Sequence, residues 1–212
     1  STPSTSANTL FISTTNQVLF STVLLVISDS RGNFHHCRAV LDQCSEVSLI
    51  TESMCKKLNL RTYSSNASTT GVNVSENIAH KGCNVVVKSR VGNFTTGVDC
   101  FVLPKITQAT PAVSFDKSTI ELLSDIILAD PNFNVSQEIN LLIGAGLYWE
   151  LLIGGPTQLH RNQPYFQETH LGWIVSGDLK LKNSVSKFSC NLVSSERNLE
   201  REIAKVWESE NI

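Results

Sequence analysis

No apolar run in this 212-residue chain approaches the length that spans a bilayer; Val18 to Ile27 comes closest, and it is too short and broken by polar residues. The chain also lacks an excess of either charge. Lys and Arg number 17 against 19 Asp and Glu, a formal net charge of -2, so there is no basic footprint for nucleic acid. Ser1 to Ser6 has neither a basic region nor an apolar core of the secretory kind, and the chain reads as a fragment cut from something longer. The six cysteines, at 37, 44, 55, 83, 100 and 190, include no Cys-x-x-Cys pair. A chain of this length can build a real core without disulfides, so free thiols in a reducing, cytoplasmic compartment are expected.

Further absences remove enzyme classes. No Gly-x-Ser-x-Gly element occurs, which argues against a nucleophile-elbow serine hydrolase. Gly144-Ala145-Gly146 follows an apolar strand pattern, but Trp149 stands where a dinucleotide fingerprint needs its third glycine. His35-His36-Cys37 has no second cluster at ligand spacing, so no metal site is expected. These histidines read as residues of an exposed hairpin, and His160 and His170 as isolated. Tyr148, Trp149 and Trp173 read as core. No cofactor is expected.

What is present centres on Ala39-Val40-Leu41-Asp42-Gln43-Cys44-Ser45-Glu46-Val47-Ser48-Leu49-Ile50. Small and apolar residues run into a single carboxylate, a short polar turn follows, and apolar residues resume. This is the pattern of a buried strand that delivers Asp42 to its C-terminal end, a tight turn, and another strand. A strand that merely ends in a turn aspartate has the same local pattern.

Around it, residues 1 to 16 are Ser/Thr/Asn-rich and read as a linker. Val18 to Ser28 and Phe34 to Leu41 read as a hairpin about Asp29-Ser30-Arg31-Gly32-Asn33, and Val47 to Ile50 as the next strand. Thr51 can cap a short helix carrying Met54 and Leu58 on one face. Residues 61 to 82 are small and polar, with flexible points at Gly71 and Gly82. Asn84 to Lys88, Thr95 to Leu103, Ile139 to Gly144 and Gly172 to Gly177 read as strands. Leu122, Leu123, Ile126 and Ile127 give Ile120 to Ala129 helical spacing, stopped by Asp130-Pro131. Ser195 to Trp207 is amphipathic, with Leu199, Ile203 and Val206 on one face. The chain thus divides into a linker (1–16), one domain (17–178), and a linker with a tail helix (179–212).

Several segments, taken in order, resemble one family. They are Cys37 to Ser45, Val102-Leu103-Pro104-Lys105-Ile106-Thr107, Leu128-Ala129-Asp130-Pro131, Asn140 to Ala145, and Leu171 to Gly177. Together they look like the retropepsin-type aspartic protease segment of BEL/Pao-type retrotransposon polyproteins, over roughly residues 18 to 178. The tail ending Lys205-Val206-Trp207-Glu208-Ser209-Glu210 resembles the stretch that links protease to reverse transcriptase there.

The resemblance implies a mainly β fold: a small closed acid-protease barrel with one or two short helices, plus the tail helix. It implies that Asp42 is the catalytic aspartate, with Gln43, Cys44 and Ser45 completing the active-site loop. Gly71 matches the tip of a flap over substrate. Leu142, Ile143 and Gly144 match the element that packs beside the catalytic loop. The reaction needs two carboxylates, one activating water and the other polarising the scissile carbonyl. Two like charges at close range share a proton and titrate as a unit. One Asp element per chain therefore implies a homodimer with the site on its twofold axis. The implied substrate is a peptide or polyprotein, and the implied location is intracellular, within virus-like particles. The departure is Cys44, which stands where the family has glycine. A Cβ there would crowd the turn or push two loops apart, which points to a weakened enzyme. The rival readings are an inactive descendant that keeps the barrel as a dimerisation or peptide-binding module, and a structural spacer.

Overall fold

The computed structural model describes residues 15–69 and 77–181. Gly71 and the expected tail helix lie outside the described residues, as do residues 1–14 of the expected linker. The fold is mainly β. Its strands are β1 (Thr15–Leu19), β2 (Thr22–Ser28), β3 (Phe34–Leu41), β4 (Ser48–Thr51), β5 (Thr62–Thr69), β6 (Asn77–Lys88), β7 (Thr95–Leu103), β8 (Leu141–Ile143), β9 (Leu152–Thr157), β10 (Tyr165–Thr169) and β11 (Gly172–Leu181). The α-helices among the described residues are α1 (Glu52–Lys57) and α2 (Ala145–Leu151). No described helix is long and apolar enough to cross a membrane.

Six strands close a barrel in the order β2-β3-β8-β4-β7-β6, and β6 returns to β2 through Val26 opposite Lys88 and Ile27 opposite Val87. Closure removes the unpaired edges that a sheet of this size would otherwise expose. β5 extends the sheet beyond β6. The alternation of the sequence explains the inside of the barrel. Val23, Leu25 and Ile27 of β2, Cys37, Ala39 and Leu41 of β3, and Val98, Cys100 and Val102 of β7 all enter one core. Thr51 caps α1 as expected, its hydroxyl accepting the Met54 N–H at 3.3 Å, while Met54 and Leu58 are buried.

A second, four-stranded sheet runs β1-β11-β10-β9. Its strand β11 faces two ways: Ile174 joins the barrel core, and Val175 joins a second core with Leu19, Phe133, Phe166 and Leu179.

The structure corrects four sequence expectations. Val18 to Ser28 is two strands, because the chain turns at Phe20-Ser21, with Thr22 N–H donating to the Phe20 carbonyl at 2.7 Å. Within residues 61 to 82, Thr62–Thr69 form β5 and Asn77 begins β6, so Gly82 is a strand residue and not a flexible point. Ile120 to Ala129 is not a helix. Asp125 takes φ 62°, a left-handed conformation that ends helical propagation, and the backbone of 127–129 is committed elsewhere. Trp173 N–H donates to Ile127 O, Ala129 N–H to Trp173 O, and Leu24 N–H to Ala129 O, each at 2.8–2.9 Å. Leu122, Leu123 and Ile126 instead pack as irregular chain against the second core. The second helix is α2, and its Trp149 is 63% exposed and so is not a core residue.

Candidate functional site

Asp42 stands one residue past the end of β3, and the wiring of three strands fixes it. β3 and β4 are joined by the Asp42 turn, yet they are not neighbours: β8 inserts between them, parallel to β3 and antiparallel to β4. The turn must therefore bridge over the end of β8. It is tied down there. Asp42 N–H donates to the Ile143 carbonyl at 2.9 Å, Ala145 N–H donates to Ser45 O at 2.7 Å, and Gly144 N–H donates to Ser48 Oγ at 3.0 Å. Within the turn, Cys44 N–H donates to Asp42 Oδ1 at 2.9 Å and the Ser45 hydroxyl to Val47 O at 2.7 Å.

Gly144 sits under this bridge because nothing larger fits. A Cβ at that position would lie 2.5 Å from Val47 O and 2.7 Å from Ser45 O, both backbone atoms. The constraint is close approach rather than dihedral angle, since Gly144 has φ -80°. Leu142, Ile143 and Gly144 thus pack beside the Asp42 turn.

Cys44 behaves differently from its expectation. It is exposed, and it is not among the described residues with positive φ, which besides glycines are Asn59, Asp125 and Asn162. The turn accommodates its Cβ without left-handed strain. Gln43 is also exposed.

The Asp42 side chain is half-buried and lines a groove of about 150 Å³. Phe20, Val40, Leu41, Ile106, Thr107, Thr110 and Leu142 line the rest of it. One wall comes from the long connection between β7 and β8, residues 104–140, and a buried ion pair anchors that wall. Arg38 of β3 points away from the barrel core and donates through Nε to Asp130 Oδ2 at 2.7 Å. Its Nη1 donates to the carbonyls of Thr110 at 2.6 Å and Gln137 at 3.1 Å. Thr110 and Gln137 also exchange backbone hydrogen bonds.

Tyr148 of α2 borders the site, a position that its sequence context does not reveal. Burial, and after it the negative charge of Asp42 and Cys44, push its phenol above the ordinary tyrosine value. His35 is tied to Asp29 at 3.0 Å and His160 to Glu121 at 2.9 Å, and none of the four lines the Asp42 groove. Among the described residues, no three His, Cys, Asp or Glu side chains gather as a metal site would require.

No protein-family model matches the chain, and no curated protein matches it in sequence. The site has to be read from its own residues.

Proposed function

We propose that the protein is an aspartic endopeptidase of retropepsin type, acting on peptide or polyprotein substrates as a homodimer that pairs two Asp42 carboxylates. The observation that carries the reading is the placement of Asp42. It lines a mainly apolar groove, on a turn pinned by backbone hydrogen bonds, with one carboxylate oxygen engaged by the Cys44 N–H. Rigid backbone support of this kind is what a group that must meet a second carboxylate and a water needs.

Further support comes from how the family-like segments meet. Arg38 of the first pairs with Asp130 of the third, Ile106 and Thr107 of the second line the groove, and Gly144 of the fourth supports the turn. In the proposed reaction, one Asp42 takes a proton from water, the water oxygen adds to the scissile carbonyl, and the protonated partner carboxyl donates to the carbonyl oxygen. The first Asp42 then gives the water proton to the amine nitrogen as the C–N bond breaks, and the partner carboxylate takes a proton back from a hydroxyl of the intermediate, which leaves the acid, the amine and the starting pair. An extended peptide fits the apolar lining.

The test is digestion of a proteome-derived peptide library by the full chain, read by mass spectrometry. Asp42→Asn is expected to abolish cleavage and keep the circular dichroism spectrum, because the carboxamide is nearly isosteric but cannot carry the proton. Cleavage unchanged in that variant removes Asp42 from the mechanism. Sedimentation should show a dimer under cleavage conditions, and a fully active strict monomer would overturn the paired-aspartate reading.

The second reading, a non-catalytic module that keeps the barrel, is favoured by one residue, Cys44. Its own turn holds it without left-handed strain, so any cost arises where two Asp42 turns meet. Cys44→Gly separates the readings. A rise in both cleavage and dimer affinity marks the native chain as impaired, and equal rates mark it as a competent enzyme.

A further inference from the structure

Four cysteines from four elements are buried in the barrel core and take no part in the chemistry above. Cys37 of β3, Cys55 of α1, Cys83 of β6 and Cys100 of β7 all belong to its core. Their thiols are not equivalent. Cys37 Sγ lies 3.9 Å from the Arg38 carbonyl and Cys100 Sγ lies 3.8 Å from the Val98 carbonyl, each as donor. Cys55 and Cys83 instead face each other, Sγ to Sγ at 3.7 Å, from positions 28 residues apart.

The surroundings set them apart further. Burial pushes the Cys37 thiol up to about 12 and that of Cys100 higher still, so both stay protonated and inert. In the facing pair the hydrogen bond works in opposite directions. It pulls the Cys83 thiol down, as acceptor, and pushes the Cys55 thiol up, as donor. Cys55 also lines a second cavity, of about 260 Å³, with Glu52, Lys56, Asn59 and Lys81. Lys56 and Lys81 line the same cavity, and Lys56 lies 3.7 Å from Glu52.

We propose that Cys55 and Cys83 are a redox-modification site, closing to a reversible disulfide between α1 and β6 on reaction with a small anionic disulfide that enters through the Cys55 cavity. In the first step the Cys83 sulfur, losing its proton, attacks the S–S bond of the oxidant. A mixed disulfide forms and one small thiol leaves with that proton. In the second step the Cys55 sulfur attacks Cys83 Sγ. The Cys55–Cys83 bond forms, and the second small thiol leaves with the Cys55 proton. Two electrons pass from the protein thiols to the oxidant. The sulfurs need only close from 3.7 Å to a bond of about 2.05 Å. The inference does not depend on the catalytic reading.

The experiment uses the full chain and glutathione disulfide at neutral pH, followed by alkylation under denaturing conditions and peptide mapping. The expected result is a Cys55–Cys83 linked peptide, a chain lighter by two hydrogen atoms, and reversal by dithiothreitol. The linked form should melt about 5 °C higher, because the cross-link restricts the unfolded chain. Cys55→Ser and Cys83→Ser should each abolish the linked peptide. Full alkylation of both cysteines after exposure overturns the proposal, as does an adduct that stops at Cys83 or Cys55, or a linkage of either residue to Cys44, Cys100 or Cys190. The mapping is done on the native sequence, so it stands even where a serine variant fails to fold.

Discussion

Two aspartates flank β3 and live under opposite conditions. Asp130 is buried, with 2% of its side chain exposed, and bonds directly to the equally enclosed Arg38. Asp42 lies just past the end of β3, half-buried and lining a groove, and its side chain accepts from a backbone N–H two residues on. The first arrangement is what a charge inside a protein requires, a partner of opposite sign with its remaining donors satisfied. Its work is to hold the 104–140 connection against the barrel. The second leaves a carboxylate oriented but, among the described residues, without a cation to occupy it. The same residue type is an anchor in one place and a candidate reagent in the other.

The sharpest way to test this contrast is the same substitution at both positions. Asp130→Asn places an amide N–H against the Arg38 guanidinium and leaves a buried cation without its counter-charge. A loss of about 3–5 kcal/mol is expected, measured by chemical denaturation. A loss below about 1 kcal/mol would mean that the pair does not anchor the wall.

Gly144→Ala comes next. It drives a Cβ into the carbonyls of Val47 and Ser45, and overpacking of this kind costs about 1–3 kcal/mol. It should also lower any activity more than stability alone explains, since the Asp42 turn must shift. An alanine variant as stable as the native chain would show that the turn is not seated on β8.

A third aspartate sharpens the comparison. Asp29 accepts hydrogen bonds from His35, from the side chain and backbone of Asn33, and from Arg31 N–H. The His35 bond foremost holds its carboxyl far below the usual carboxylate range. A depressed folded-state pKa stabilises above the unfolded value and is lost as pH falls from there toward the folded value. Asp29→Asn should therefore lower the melting temperature slightly at neutral pH, with the difference from the native chain fading below about pH 4. A difference that grows in acid would reverse the sign and the argument.

The smallest stability effect is expected at Asp42 itself. Asp42→Asn should change stability by no more than about 0.5 kcal/mol, because the carboxamide oxygen can still accept the Cys44 N–H. A large loss would make Asp42 a structural turn residue, the bland alternative that its sequence pattern allows.

Much of this was legible along the chain. Period-two alternation in β3 and β7 places Cys37, Ala39, Leu41, Val98, Cys100 and Val102 inside, and β7 ends at Leu103 as its pattern indicates. The apolar run before Asp42 and the Thr51 cap are local properties, set by side-chain spacing and one hydroxyl. The site was legible only in part, since Asp42, Gly144 and the stretch around Ile106 could be named but their meeting could not.

The misread elements share one cause. Leu122, Leu123, Ile126 and Ile127 have helical spacing, but a helix must spend its backbone groups on itself, and those of 127–129 are taken by Leu24 and Trp173. β5 carries almost no apolar residues and forms because β6 offers it an edge. Arg38 is buried beside Asp130 only because the 104–140 connection returns over β3. The sequence alone determined the local periods, the α1 cap and the placing of Asp42 at a strand end. Tertiary structure decided which backbone groups pair across the chain, which charges are enclosed, and that Cys55 and Cys83 face each other, because those outcomes depend on contacts between residues tens of positions apart.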